Sequence, residues 1–144
     1  MPGTWLAAFR AWLGRWRTPP SLGQRGEAAA AKFLRGLGYV IVARSARHRL
    51  GEIDIVAVEG RTVVFVEVKT RESHDAGHPA EAVTPDKQRR LTRLALNYLK
   101  RHGLLEHAAR FDVVAITWPA GGRRPVIEHI KNAFEASGFG GMYS

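Results

Sequence analysis

No cysteine occurs anywhere in the 144 residues. Disulfides and thiolate metal sites are therefore excluded, and any metal must be held by carboxylates, histidines or carbonyls. Oxygen ligands of that kind suit Mg²⁺ or Mn²⁺. The same absence fits a reducing compartment, so a cytoplasmic location is expected. No apolar stretch approaches the roughly 20 residues of a membrane span. Arginines interrupt the apolar residues at the N-terminus, which leaves no clean h-region of a signal peptide. A glycine-rich phosphate loop is also missing, and with it the support for nucleotide hydrolysis. Acids are scarce: 13 Asp and Glu stand against 22 Lys and Arg, giving a net charge of +9. That excess favours a polyanionic partner, nucleic acid first and an anionic membrane surface second. A solvated basic surface with no partner is the bland alternative.

What is present divides into three stretches: an appendage at residues 1–20, a domain at 21–135 and a Gly-rich tail at 136–144. In the appendage Trp5, Phe9, Trp12 and Trp16 recur at spacings of four, three and four, with Leu6 and Leu13 beside them. This is one face of an amphipathic helix. It can pack on its own domain, on a partner or second copy, or on a membrane surface. Thr18-Pro19-Pro20 ends it.

Ser21 and Gln24 have capping-box spacing for a helix running to about Leu37, with an apolar stripe of Ala29, Ala30, Phe33, Leu34 and Leu37. Strands are expected at residues 39–43, 52–58 and 62–70. Thr84-Pro85 starts a second helix as N-cap and first-turn proline, and Gly103 stops it. Two further strands follow at 111–117 and 125–130. A helix between two strands normally makes a right-handed crossover to a parallel neighbour. The expectation is an α/β fold, a mixed sheet flanked by helices in the order α-β-β-β-α-β-β.

The third strand carries the chemistry. Val63, Val64, Phe65, Val66 and Val68 are apolar on both faces, the mark of a covered central strand. Glu67 and Lys69 nevertheless lie inside it, and two ionised groups there are costly unless paired or bound to a metal. Being two apart, they point to the same face. If Gly60-Arg61 is a two-residue turn, Glu59 pairs with Thr62 and Asp54 falls opposite Glu67. Opposed Cβ atoms lie about 4.5–5.5 Å apart, so two carboxylates there repel unless a cation sits between them. The alternative is a structural Glu67–Lys69 ion pair. Glu27 falls at the margin of the first core helix's apolar stripe. From there it can reach the sheet, or it can simply be a first-turn acid favoured by the helix dipole.

Asp54 followed by Glu67-Val68-Lys69 resembles the PD-(D/E)xK nuclease signature, with Ile53 in place of the proline. Gly26-Glu27-Ala28-Ala29, Gly51-Glu52-Ile53-Asp54, Val66 to Arg71, Lys87-Gln88 and Arg110 to Val114 extend the match. Together they resemble the YraN-like bacterial proteins, which are similar to archaeal Holliday-junction resolvases. The resemblance covers about residues 21–135. It implies a restriction-endonuclease-like core, metal-binding roles for Glu27, Asp54 and Glu67, and catalysis by Asp54, Glu67 and Lys69. A Mg²⁺- or Mn²⁺-dependent endonuclease on DNA rather than RNA, with branched DNA among its substrates, is one expectation. A non-catalytic nucleic-acid-binding module that keeps the fold is the other.

Arg44, Arg47 and Arg49, just before the Asp54 strand, are candidate phosphate contacts. So are Arg71, beyond Lys69, and Lys87, Gln88 and Arg90 on the second core helix. Symmetric cutting of a junction would need a two-fold homodimer. His74, Asp75 and His78 read as a polar loop, and Asp112 and His129 as structural hydrogen-bonding residues.

Overall fold

The computed structural model describes residues 4–10, 19–72, 83–122 and 124–136. The His74, Asp75 and His78 cluster lies outside the described residues. Three helices are described: α1 (residues 4–10), α2 (Leu22–Gly36) and α3 (Pro85–Arg101). The strands are β1 (Val40–His48), β2 (Gly51–Glu59), β3 (Thr62–Arg71), β4 (Ala109–Thr117) and β5 (Val126–Phe134). The chain is α/β, and its order over the domain is the α-β-β-β-α-β-β that the sequence predicts.

Local chemistry sets the helix ends as expected. The Ser21 hydroxyl accepts from the Gln24 N–H, while the Gln24 side chain accepts from the Ser21 N–H, so the capping box is complete. The Thr84 hydroxyl accepts from the Lys87 N–H ahead of Pro85. Leu37 departs from expectation. As the C-cap of α2 it projects past the end of the helix and is 54% exposed, and Ala31 joins the buried stripe instead.

Among the described residues the strands form one sheet in the order β1-β2-β3-β4-β5. The pairs β1–β2, β2–β3 and β4–β5 are antiparallel, and β3–β4 is parallel across the α3 crossover. β3 is central. Its side chains alternate between two cores: Val63 and Phe65 pack with Leu91, Leu94 and Leu99 of α3, whereas Val64 and Val66 pack with Ala30, Ala31 and Leu34 of α2. Burial on both faces explains the unbroken apolar run.

β1 extends well past residue 43. Arg44, Arg47 and His48 read as loop in the sequence, yet they pair with Ile55, Glu52 and Gly51. An edge strand tolerates such charge, because it faces solvent and discourages further strand addition.

At the end of the sheet near the β2–β3 turn, β4 carries a second polar cluster that is structural. The buried Asp112 carboxylate accepts from Arg110 Nε (3.0 Å) and from the Asn132 N–H (3.0 Å). It also bonds the His129 ring (2.8 Å). Asn132, at φ 50°, and the register shift between Phe111 and Val113 place this carboxylate among its partners. Burial alone would raise the Asp112 pKa; the hydrogen bonds from His129, Arg110 and Asn132 outweigh it and hold the carboxyl below its ordinary value. A depressed carboxylate adds stability above its unfolded range and loses it as pH falls through the folded value. Asp112→Ala is expected to cost about 3 kcal/mol, because it strands Arg110 and His129 without their shared acceptor. Urea unfolding at pH 7 measures it.

Candidate metal centre

The hairpin register is the expected one up to a point. Glu59 pairs with Thr62, and the ladder continues through Val58↔Val63, Ala57↔Val64 and Val56↔Phe65 to Ile55↔Val66. There it stops. Asp54 and Glu67 are not ladder partners; instead Asp54 Oδ2 accepts from the Val68 N–H at 2.8 Å. The carboxylate replaces a backbone acceptor where β2 splits from β3. The strands thus open a gap in which side chains from both helix layers meet.

α2 fills one side of that gap. A Cβ built on Gly26 would lie 1.8 Å from the Thr70 hydroxyl oxygen, so only glycine lets the first turns of α2 approach the end of β3. The next residue, Glu27, is thereby brought to the split with its side chain 13% exposed. Its carboxylate accepts from the Ser45 hydroxyl (3.0 Å to each oxygen) and from Arg44 Nε at 3.3 Å. Ser45, at φ 49°, lies between the pairs Arg44↔Ile55 and Ala46↔Ile53, which puts it on β1 beside Asp54 of β2.

α3 closes the other side. Glu67 shares a face with Phe65 and is 8% exposed. The Lys87 ammonium, in the first turn of α3, is ion-paired with it. Lys69 is flanked by Lys87 and lies in the field of Glu67 and Asp54.

Three carboxylates converge tightly. One oxygen each of Glu27, Glu52 and Asp54 lies within 4.8 Å of the others. Glu52 was not anticipated. The available signal was its position two residues before Asp54, on the same side of β2. Glu67, expected as a metal ligand, stands outside this trio in its ion pair with Lys87.

Electrostatics single out Asp54. Burial first, and the Glu67 carboxylate second, push its pKa up to about 7, against the opposing Val68 hydrogen bond; Glu27 adds to the rise and Lys87 opposes it. Burial and the Lys87 charge lower the Lys69 pKa. Burial would lower that of Lys87 too, but its hydrogen bond to Glu67 prevails and raises it. The donor set is hard, all oxygen and mutually repelling, which suits a divalent cation such as Mg²⁺ or Mn²⁺.

The expected phosphate contacts are dispersed. Arg44 is ion-paired with Glu27, and Arg47 with Glu52 at 3.4 Å, so both stand against the acids rather than free of them. Arg49 is exposed in the β1–β2 turn, and Arg90 is exposed on α3. Arg71 Nε donates to the Thr117 hydroxyl at 3.2 Å, and the Gln88 amide donates to the Val83 carbonyl at 3.0 Å.

Fold and site together define an α/β protein with an oxygen-ligand cluster where its central hairpin splits. The profile described as "Uncharacterised protein family UPF0102" matches residues 26–116. A UPF0102 protein of Geobacter sulfurreducens is 54% identical over 114 residues, covering 79% of this chain and 88% of the relative. One from Symbiobacterium thermophilum is 51% identical over 115 residues (80% and 97%), and one from Rhodopirellula baltica 50% over 125 residues (85% and 75%). The chain belongs to the UPF0102, or YraN-like, family, as its motifs indicate.

Proposed function

We propose that the chain is a Mg²⁺- or Mn²⁺-dependent endonuclease that hydrolyses phosphodiester bonds in DNA, with branched DNA as the substrate class its resolvase resemblance implies. The observation that carries this reading is the meeting of Glu27, Glu52 and Asp54 at the strand split, with Glu67, Lys69 and Lys87 alongside. Glu27, Glu52 and Asp54 would hold the cation, with Glu67 beside them in its ion pair with Lys87. A cation held there would supply charge neutralisation at the scissile phosphate and a more acidic water. Lys69, with its proton already loosened, orients the attacking water and balances the negative charge that develops on the phosphate. Lys87, Arg71 and Gln88 contact phosphates nearest the split. Arg44, Arg47, Arg49 and Arg90 extend the basic track along the backbone. Symmetric resolution of a junction requires two copies of the site in a two-fold dimer.

A second reading rests on a specific observation. Lys87 and Arg44 already neutralise Glu67 and Glu27, as in a nucleic-acid-binding module that no longer cuts. One experiment separates the two. Labelled duplex, flap and four-way DNA are incubated with the protein and Mn²⁺, beside Lys69→Ala. The nuclease reading expects cleavage that falls at least about 100-fold in the variant. Salt-sensitive binding without turnover under any metal leaves the binding module. Cleavage undiminished by Lys69→Ala removes the residue assignment.

A further inference from the structure

Both faces of the sheet are covered, by α2 and α3, and the family match begins only at residue 26. α1 belongs to neither layer. Its described residues, 4–10, are all exposed, and Trp5, Leu6 and Phe9 expose 67, 49 and 43% of their surface. Trp5 and Phe9 stack with centroids 5.6 Å apart and rings 5° from parallel, so the two make one flat aromatic platform. At about 100° per residue, Leu6 continues that platform and Arg10 falls about 40° beyond Leu6, at its rim. The sequence carries the pattern onward with Trp12, Leu13 and Trp16 in register, and Arg15 and Arg17 among them. The segment before Glu27 contains no acid, and it holds three of the chain's four tryptophans.

We infer that α1 docks the protein on an anionic lipid surface, with its Trp5–Leu6–Phe9 face in the headgroup region and the N-terminal segment's arginines on the lipid phosphates. This goes beyond the nuclease reading and does not depend on it. Three features select lipid. The apolar residues are wide, amphipathic aromatics, which settle at the bilayer interface. The segment's charge is wholly positive, complementary to an anionic leaflet. No described helix is long and apolar enough to cross a membrane, so α1 as described meets a bilayer at its interface. Duplex nucleic acid would use the same arginines, but its bases are stacked on one another and offer this face little apolar surface.

The test uses the full chain with vesicles of phosphatidylcholine alone, or with about a third phosphatidylglycerol. Co-sedimentation is read beside the tryptophan emission of a Trp118→Phe variant, whose remaining tryptophans all lie in the N-terminal segment. We expect at least about tenfold greater partitioning on the anionic vesicles, weakening with salt, and a blue shift on binding. The double variant Trp5→Ser/Phe9→Ser should lose the partitioning at an unchanged melting temperature of the core. Absence of partitioning on anionic vesicles overturns the inference. So does partitioning that the double variant retains, since the basic core alone would then be the binder. Light scattering that turns from dimer to monomer in the double variant, without a lipid effect, assigns the face to a second copy instead.

Discussion

Asp54→Asn is expected to stabilise the metal-free protein while sharply weakening the proposed cation binding. At pH 8 the Asp54 carboxyl, with its pKa near 7, is ionised in a buried position facing Glu67 and Glu27. Asparagine keeps an oxygen for the Val68 N–H and removes the charge. A gain of about 2 kcal/mol follows, read as an upward shift of the urea midpoint in EDTA. The folded value lies above the ordinary 3.8, so this group's contribution is fully present below about 4. It is lost as pH rises through about 7, and this group's contribution is smallest above that. The difference between wild type and Asp54→Asn should therefore shrink towards pH 4 and be largest at pH 8. Mn²⁺ reverses the ranking, because the carboxylate binds it more tightly than the neutral amide does, and binding tightens as Asp54 loses its proton. A substitution that strengthens the fold and removes the ligand is the signature of a site held under electrostatic strain for a purpose other than stability.

Gly26→Ala is expected to destabilise the fold by about 2–3 kcal/mol and to weaken Mn²⁺ binding about tenfold. Alanine is ordinarily the better helix residue by about 1 kcal/mol, so the sign is opposite to propensity. The reason is space. The new methyl would lie 1.8 Å from Thr70 Oγ1 and 2.9 Å from Thr70 Cβ and Cγ2, on a β-branched side chain in a strand that cannot swing aside. α2 must move out, and Glu27 moves with it. Thr70→Ala in the same chain removes the nearest atom and should recover about half of the lost stability, a coupling that a double-mutant cycle measures in urea. Equal effects of Gly26→Ala with and without Thr70→Ala would show that the close approach is not what requires glycine.

Much of this was legible in the residues. The caps at Ser21 and Thr84, the turn at Gly60-Arg61 and the two-sided apolar run of β3 are local signals, and local chemistry decides them. The register follows because one turn fixes the pairing from Glu59↔Thr62 to Ile55↔Val66. The split at Asp54 was not legible, because a pairing rule extrapolates a ladder and does not say where a side chain replaces a backbone acceptor. Glu52 was missed for a related reason. Its part depends on Glu27 crossing from a different layer, a contact set by the Gly26–Thr70 approach and invisible to spacing. The extension of β1 through Arg44 to His48 was hidden by its charges, which a solvent-facing edge permits. Arg44 and Arg47 read as phosphate contacts from their charge and their place before the Asp54 strand, and the structure pairs each with a carboxylate of the candidate metal centre, a contact that spacing does not reveal.

The gripping of a cation by the split hairpin is tested most directly by a crystal soaked in Mn²⁺ and measured at a wavelength where manganese scatters anomalously. The account predicts one strong anomalous peak within coordination distance, about 2.2 Å, of oxygens from Glu27, Glu52 and Asp54. A crystal saturated with Mn²⁺ whose only peaks lie away from these carboxylates would contradict it.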